Sequence, residues 1–137
     1  MKLTKTSAYA LTACLQLAAA KPGATLNTES ICGPANMPPR YVIQMLSQLV
    51  KAGVVSGRTG RGGGYTLAKP AAKISLLAII EAVEGPLANS GAIDASHLPA
   101  KPRKAIEGAC AAIVADARKR LASITLAELR AAKAATL

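Results

Sequence analysis

Apolar positions in the first twenty residues recur three and four apart. Tyr9 or Ala10, Ala13 or Cys14, and Leu17 share one side of a helix over Thr6 to Ala20, and "KPG" at 21–23 stops it. A short second helix follows, because Asn27 is a good N-cap, Glu29 stands in the first turn, and Ile31 and Cys32 supply apolar positions. Gly33 and Pro34 limit it. A proline ring there would clash with the Ser30 carbonyl, which predicts a short or kinked helix with Asn36 in a left-handed turn. In "MPPRYVIQMLSQLVKAGVV", 37–55, Pro38 and Pro39 suit a helix start, Val42, Met45, Leu46 and Leu49 give the apolar face, and Gly53 after Lys51 ends it. The period then changes from helix to strand. Val54–Ser56 and Tyr65–Leu67 are β-prone runs on either side of "SGRTGRGGGY", 56–65, which places that glycine-rich stretch at a hairpin tip.

Beyond the hairpin, Ile74, Leu76, Leu77, Ile80 and Val83 form another amphipathic helix, capped by Ser75 and ended by "EGP" at 84–86. Residues 87–101 are rich in Ala, Gly, Ser and Pro, lack periodicity and read as a flexible loop. Pro102 to Ser123 is the longest helical candidate, with Ile106, Cys110, Ile113, Ala117, Leu121 and Ile124 as a seam able to pack on another helix. "TLAE" at 125–128 is a capping box that starts a last helix. Two helices joined by a tight turn and followed by a hairpin make a winged helix-turn-helix. The expected fold is mainly α with a small β-hairpin. Residues 1–86 are expected to form the winged helix-turn-helix, 87–101 the flexible loop, and 102–137 a long helix plus a C-terminal helix, all in one folding unit.

Charge sharpens this picture. The 137 residues carry 17 Lys and Arg against 7 Asp and Glu, a net +10. Residues 1–73 hold nine of the basic residues and, as their one acid, Glu29. A polyanion is the partner such a half suits, and double-stranded DNA is the one a winged helix reads. The three cysteines, Cys14, Cys32 and Cys110, have neither disulfide-framework nor metal-ligand spacing, which fits a reducing cytoplasm. Beyond the apolar run at 8–20 no segment approaches a transmembrane span, and no membrane partner is expected. One competing class remains. Lys2 and Lys5 precede an apolar run, and "LTAC" at 11–14 resembles a lipoprotein cleavage box, so an exported cationic lipoprotein, or a protein-interaction module that keeps the fold, is the alternative. Against export, Thr12 and Gln16 break the run at helical spacing, and the rest of the chain needs this segment as its first helix.

Five stretches together resemble the Rrf family of bacterial winged-helix transcription regulators. They are "YAL" at 9–11, "YVIQMLSQLVKAGVV" at 41–55, "GRGGGYTLA" at 60–68, "ISLLAIIEAVEG" at 74–85 and "ITLAEL" at 124–129. The resemblance implies a homodimeric, operator-binding regulator, here expected to be a repressor, whose long helix carries the dimer contact through Ile106, Cys110, Ile113, Ala117 and Leu121. Many members hold an iron-sulfur cluster on three closely spaced cysteines after the AVEG segment, yet residues 86–109 contain no cysteine. Another ligation scheme in the family uses Glu and His from helix 1, where this chain has Ala8 and Thr12. No ligand role is carried onto Cys110, and the expected cofactor is none. The effector is left open. Packed on its two-fold mate, Cys110 would be either a thiol switch or a buried thiol.

Base edges in the major groove are read by side chains near the N-terminus of the recognition helix. Pro38, Pro39, Arg40, Ile43, Gln44 and Ser47 stand there. Arg40 suits guanine, Gln44 suits adenine, and Pro39 or Ile43 suits a thymine methyl. Family members often have Glu in place of Ile43, so a cytosine preference from that Glu is expected to be lost. Ile43 is open between base contact and core, and Gln44 between base contact and a solvated face. Tyr41 is expected to pack between the third helix and the wing, and Tyr9 to lie in the core. Arg58 and Arg61 are either DNA contacts of the wing or a solvated tip. Gly62, Gly63, Lys5, Thr6 and Asn27 are candidate phosphate partners through glycine amides and helix N-termini. Catalysis finds no support. His97 is a lone loop histidine, the acids form no pair, and neither GxxxxGK[ST] nor GxGxxG can be laid on residues 56–67.

Overall fold

Side chains that supply the first turn with a missing acceptor set where four of the helices begin. In the computed structural model, which describes residues 3–88 and 95–135, Thr4 accepts from the Ser7 N–H and starts α1 (Lys5–Ala19). Asn27 accepts from Ser30 at 2.8 Å ahead of α2 (Thr28–Cys32). As the proline required, α2 has only five residues, and Asn36 behind it has φ 49°. Pro39 opens α3 (Pro39–Lys51) with its fixed φ. Strands β1 (Val55–Arg58) and β2 (Gly64–Leu67) pair antiparallel, with Val55 opposite Leu67 and Arg58 opposite Gly64. After a 3-10 turn at Ala71–Lys73, Ser75 caps α4 (Leu76–Glu84) through the Ala78 N–H at 3.0 Å. The long α5 (Ala100–Ser123) and then α6 (Leu126–Ala135) complete the chain. Thr125 accepts from Glu128 N–H at 3.2 Å and the Glu128 carboxylate faces back to the Thr125 N–H, which is the capping box.

One core serves nearly all of these elements. Ala10, Ala13, Cys14 and Leu17 of α1 meet Ile31 and Cys32 of α2, Val42, Met45, Leu46 and Leu49 of α3, Val54 and Val55 at the hairpin, and Ile79 of α4. Leu126 of α6 is fully buried in the same cluster. The C-terminal end therefore returns to the N-terminal body. Leu76 N–H donates to the Ile124 carbonyl and Leu126 N–H to the Ile74 carbonyl, both at 2.8 Å. Cleavage before Cys14 would cut through the middle of α1, and the exported-lipoprotein reading finds no support. No described helix is long and apolar enough to cross a membrane.

Three expectations change. On α4, Leu76 and Leu77 are half-buried while Ile79, absent from the periodic set, is fully buried, because α4 packs on α1 and α3 and also on α5 and so has two covered sides. The described ends of the segment 87–101 make defined contacts. Leu87 N–H donates to Glu81 at 2.6 Å, Ala95 is buried, Leu98 N–H bonds the Ala95 carbonyl, and α5 starts at Ala100 with Pro102 tolerated in its first turn. Residues 89–94 of the expected loop lie outside the described residues, as do Lys2 and residues 136–137. Finally, Leu121 of the expected dimer seam is buried within its own chain. Ile106, Cys110 and Ala117 are half-buried and Ile113 is 67% exposed.

Candidate nucleic-acid interface

Burial of Val42, Met45, Leu46 and Leu49 turns the opposite side of α3 outward, and the expected base-reading residues lie there. Pro38, Pro39, Arg40, Gln44 and Ser47 are exposed. Ile43, open between core and surface in the sequence, is 52% exposed. Val50 and Lys51 extend this exposed side towards the wing, and both escaped sequence reasoning because they read as the ordinary end of an amphipathic helix.

The wing has a construction that the hairpin pattern alone did not reveal. Leu26 bridges to Tyr65, giving N–H to carbonyl at 3.0 Å and receiving the Tyr65 N–H at 2.8 Å. Thr25 Oγ1 donates to the Gly62 carbonyl at 3.0 Å. The residues ahead of α2 thus hold the hairpin like a third strand, a role signalled only by the short β-prone pair Thr25–Leu26. This approach requires one glycine, and the turn itself requires another. A Cβ on Gly64 (φ 142°) would stand 2.7 Å from the Leu26 carbonyl oxygen, and one on Gly63 would stand 2.7 Å from that of Gly60. Gly63 N–H already donates to Gly60 at 3.0 Å, so this amide, a candidate phosphate donor, is engaged inside the turn. Arg58 is not at the tip but ends β1, whereas Arg61 sits in the turn, and both are exposed.

Tyr65, half-buried and against Gly57, anchors the hairpin, while Tyr41 does not pack between α3 and the wing as expected and is 60% exposed. Between α3 and the wing lies a hollow of about 430 Å³, with Ser47, Val50 and Lys51 on one wall and Gly57, Arg58 and Thr59 on the other. Cations therefore flank the space between helix and hairpin, where an anionic strand is electrostatically favoured.

Lys5 and Thr6 occupy the start of α1, with Lys5 Nζ 5.8 Å from the centre of the Tyr9 ring. Tyr9 is half-buried against the core. Thr4 and Ser7 hydroxyls both donate to Glu84, Ser7 at 3.0 Å. Asn27 is exposed, and its side-chain oxygen is engaged as the α2 cap. Burial pushes the Cys14 thiol up to about 12 and raises Cys32 as well, so both are neutral thiols at neutral pH. His97 is exposed in the turn before α5.

A helix-turn-helix whose outward helix face continues into a cation-bearing wing defines a DNA-binding transcription regulator. The Rrf2 family model, described as "Iron-dependent Transcriptional regulator", matches residues 3–132, and the chain belongs to this family. Rv1287 of Mycobacterium tuberculosis, named as an HTH-type transcriptional regulator, is 32% identical over 130 residues, covering 94% of this chain and 81% of the relative. The HTH-type transcriptional regulator IscR of Escherichia coli O1:K1 / APEC is 36% identical over 84 residues, 61% of this chain and 52% of that protein. Among solved structures, CymR (YrzC), the global cysteine regulator of B. subtilis, matches with a TM-score of 0.77 at 27% identity, over 96% of this chain and 97% of that one. T. potens IscR matches with a TM-score of 0.74 at 25% identity, over 100% and 92%.

The family description raises iron. Among the described residues no group of three or more His, Cys, Asp or Glu could hold a metal ion. Cys14 and Cys32 are core thiols with raised pKa, the opposite of what a thiolate ligand needs.

Proposed function

We propose that two copies of this chain read a pseudo-palindromic operator and act as a repressor by occupying it. In this reading α3 enters the major groove, where Arg40, Ile43, Gln44 and Ser47 meet base edges and Pro38 and Pro39 border them. Arg58 and Arg61 of the wing meet the backbone or the adjacent minor groove. Gly62 and Gly63 let the tip approach closely, and Lys5, Thr6 and Asn27 face phosphates. The observation that carries this is the continuous outward face of α3, free of carboxylates and leading into a hollow flanked by Lys51 and Arg58. Association runs along α5, whose 24 residues span about 36 Å. Ile113 supplies an exposed apolar side chain there, with Ile106, Cys110 and Ala117 beside it. The activity is binding, not catalysis, in the compartment that holds the DNA, and no iron-sulfur cluster takes part.

Fragments selected from genomic DNA by the purified protein supply the operator, and a titration follows by fluorescence anisotropy. The expected outcome is a Kd of about 10⁻⁸ M or tighter for the selected site and a steep loss with salt. Arg40→Ala is expected to cost about 1–3 kcal/mol and to relax preference at one base pair per half-site. Uniform weakening over all sequences would make Arg40 a phosphate contact, and failure to enrich any sequence would refute operator reading.

A further inference from the structure

Tyr41 is the one residue at the start of α3 whose expected role the fold removes, and its surroundings point to another. It stands between two clefts of about 200 Å³ each. One is lined by Lys5, Thr6, Tyr9, Pro38 and Tyr41, the other by Thr6, Tyr41, Gln44, Met45, Gln48 and Val83. The first cleft joins an ammonium, a threonine hydroxyl and the phenols of Tyr9 and Tyr41 over an apolar floor, and no carboxylate lines it. Its cation is placed, because Lys5 Nζ lies over the Tyr9 ring. The nearby Glu84 carboxylate is engaged by the Thr4 and Ser7 hydroxyls. A largely exposed aromatic side chain gains little from packing, whereas a hydroxyl beside a cation matches a singly charged oxyanion through charge-assisted hydrogen bonds.

We propose that the Lys5–Thr6–Tyr41 cleft seats one phosphodiester of the DNA backbone, with the Tyr41 hydroxyl as donor and Lys5 as counter-charge, and that Tyr41 is thereby a positioning residue for α3. Gln44, which faces the groove, lines the cleft on the other side of the same ring. A phosphate held by Tyr41 therefore registers the duplex against the base-reading face one helical turn away. This assignment rests on the operator-reading role proposed above.

The test uses the full chain with Tyr41→Phe, which keeps the ring and removes the donor, and Lys5→Ala. Tyr41→Phe is expected to weaken binding about tenfold, the size of a hydrogen bond to a charged group, and equally on operator and unrelated duplex. The salt slope is expected to stay unchanged for Tyr41→Phe and to fall by about 0.9 for Lys5→Ala. Single methylphosphonate substitutions along the operator then locate the seat. At one position per half-site the wild type loses affinity and the double variant does not. Tyr41→Phe binding as wild type, or no methylphosphonate position losing its effect in the double variant, overturns the proposal. A phosphate seat is independent of sequence, so the comparison is read at low salt even on DNA that the protein does not prefer. Loss of sequence preference in the wild type would remove operator reading, and an indifferent Tyr41→Phe would remove the cleft alone.

Discussion

Ile43 is the most informative residue on the reading face because its exposure has a cost that DNA can relieve. It is 52% exposed on the outward side of α3, between Arg40 and the polar Gln44 and Ser47. Full burial of an isoleucine is worth about 1.5–3 kcal/mol, so covering the exposed half against a base yields on the order of 1 kcal/mol, about fivefold in affinity. The groove feature that can cover it is a thymine C5-methyl, itself worth about 0.8 kcal/mol, about fourfold. Deoxyuridine removes that methyl and leaves every hydrogen-bonding edge in place. Replacing operator thymines one at a time is expected to weaken wild-type binding about fourfold at one position per half-site. Ile43→Ala is expected to bind the thymine operator about fivefold more weakly and to be indifferent to uracil at that position. Its thermal stability should change by less than about 0.5 kcal/mol, since the replaced atoms are largely outside the core. Anisotropy titrations of both proteins on both DNAs complete the cycle. If no uracil position discriminates, or if both proteins lose the same factor, Ile43 does not read a methyl and the argument from exposure fails.

Gly64→Ala is expected to destabilise the fold by about 1–3 kcal/mol in chemical denaturation, because the new Cβ meets the Leu26 carbonyl at a positive φ; an unchanged midpoint would show that Leu26 does not hold the wing. The Glu81 carboxyl is pushed up by burial but held lower overall by the Arg118 hydrogen bond, the Leu87 N–H and the Arg118 charge. With the folded value below the unfolded one, about 4.3, its stabilisation is complete above that value and lost as pH falls through the folded value. Glu81→Gln should accordingly flatten the acid limb of stability against pH, and an unchanged limb would discard the assignment. A thiol reagent at pH 8 is expected to leave Cys14 and Cys32 unmodified in the native protein and to modify both in denaturant, since they are buried neutral thiols. Intact mass with three native adducts would contradict the burial of α1 and α2.

Periodicity located the helices well because each apolar stripe meets one core, and caps such as Asn27, Ser75 and Thr125 marked their starts within a residue or two. Period alone could not say that α4 is covered on two sides, so Ile79 escaped notice. The same limit applies to Leu121, which a seam read along one helix assigns to a partner although the chain's own body covers it. On the reading face, the residues opposite Val42, Met45, Leu46 and Leu49 followed directly from helical geometry. Tyr41 did not follow. An aromatic residue near a hairpin is ordinarily buried, and only the placement of Tyr65 against Gly57 shows that the packing role was already filled.

The glycine run at 62–64 shows how one local sequence answers to two constraints at once. Gly63 and Gly64 are excluded from bearing side chains by the chain itself, by the Gly60 carbonyl in the turn and by Leu26 at the hairpin edge. Their presence therefore does not by itself argue for an anion. The charge argument rests on the arginines, and these differ. Arg58 is held by the β ladder opposite Gly64 and shares the hollow beside α3 with Lys51, whereas Arg61 lies between two positive-φ glycines in the turn. Ordering a long side chain costs less entropy where the backbone under it is already paired in a ladder. Lys51 at the end of α3, and Arg58 on a hairpin tied through Leu26 and Tyr65 to the same core, are the cationic positions whose backbone placement relative to Arg40 and Gln44 folding determines in advance.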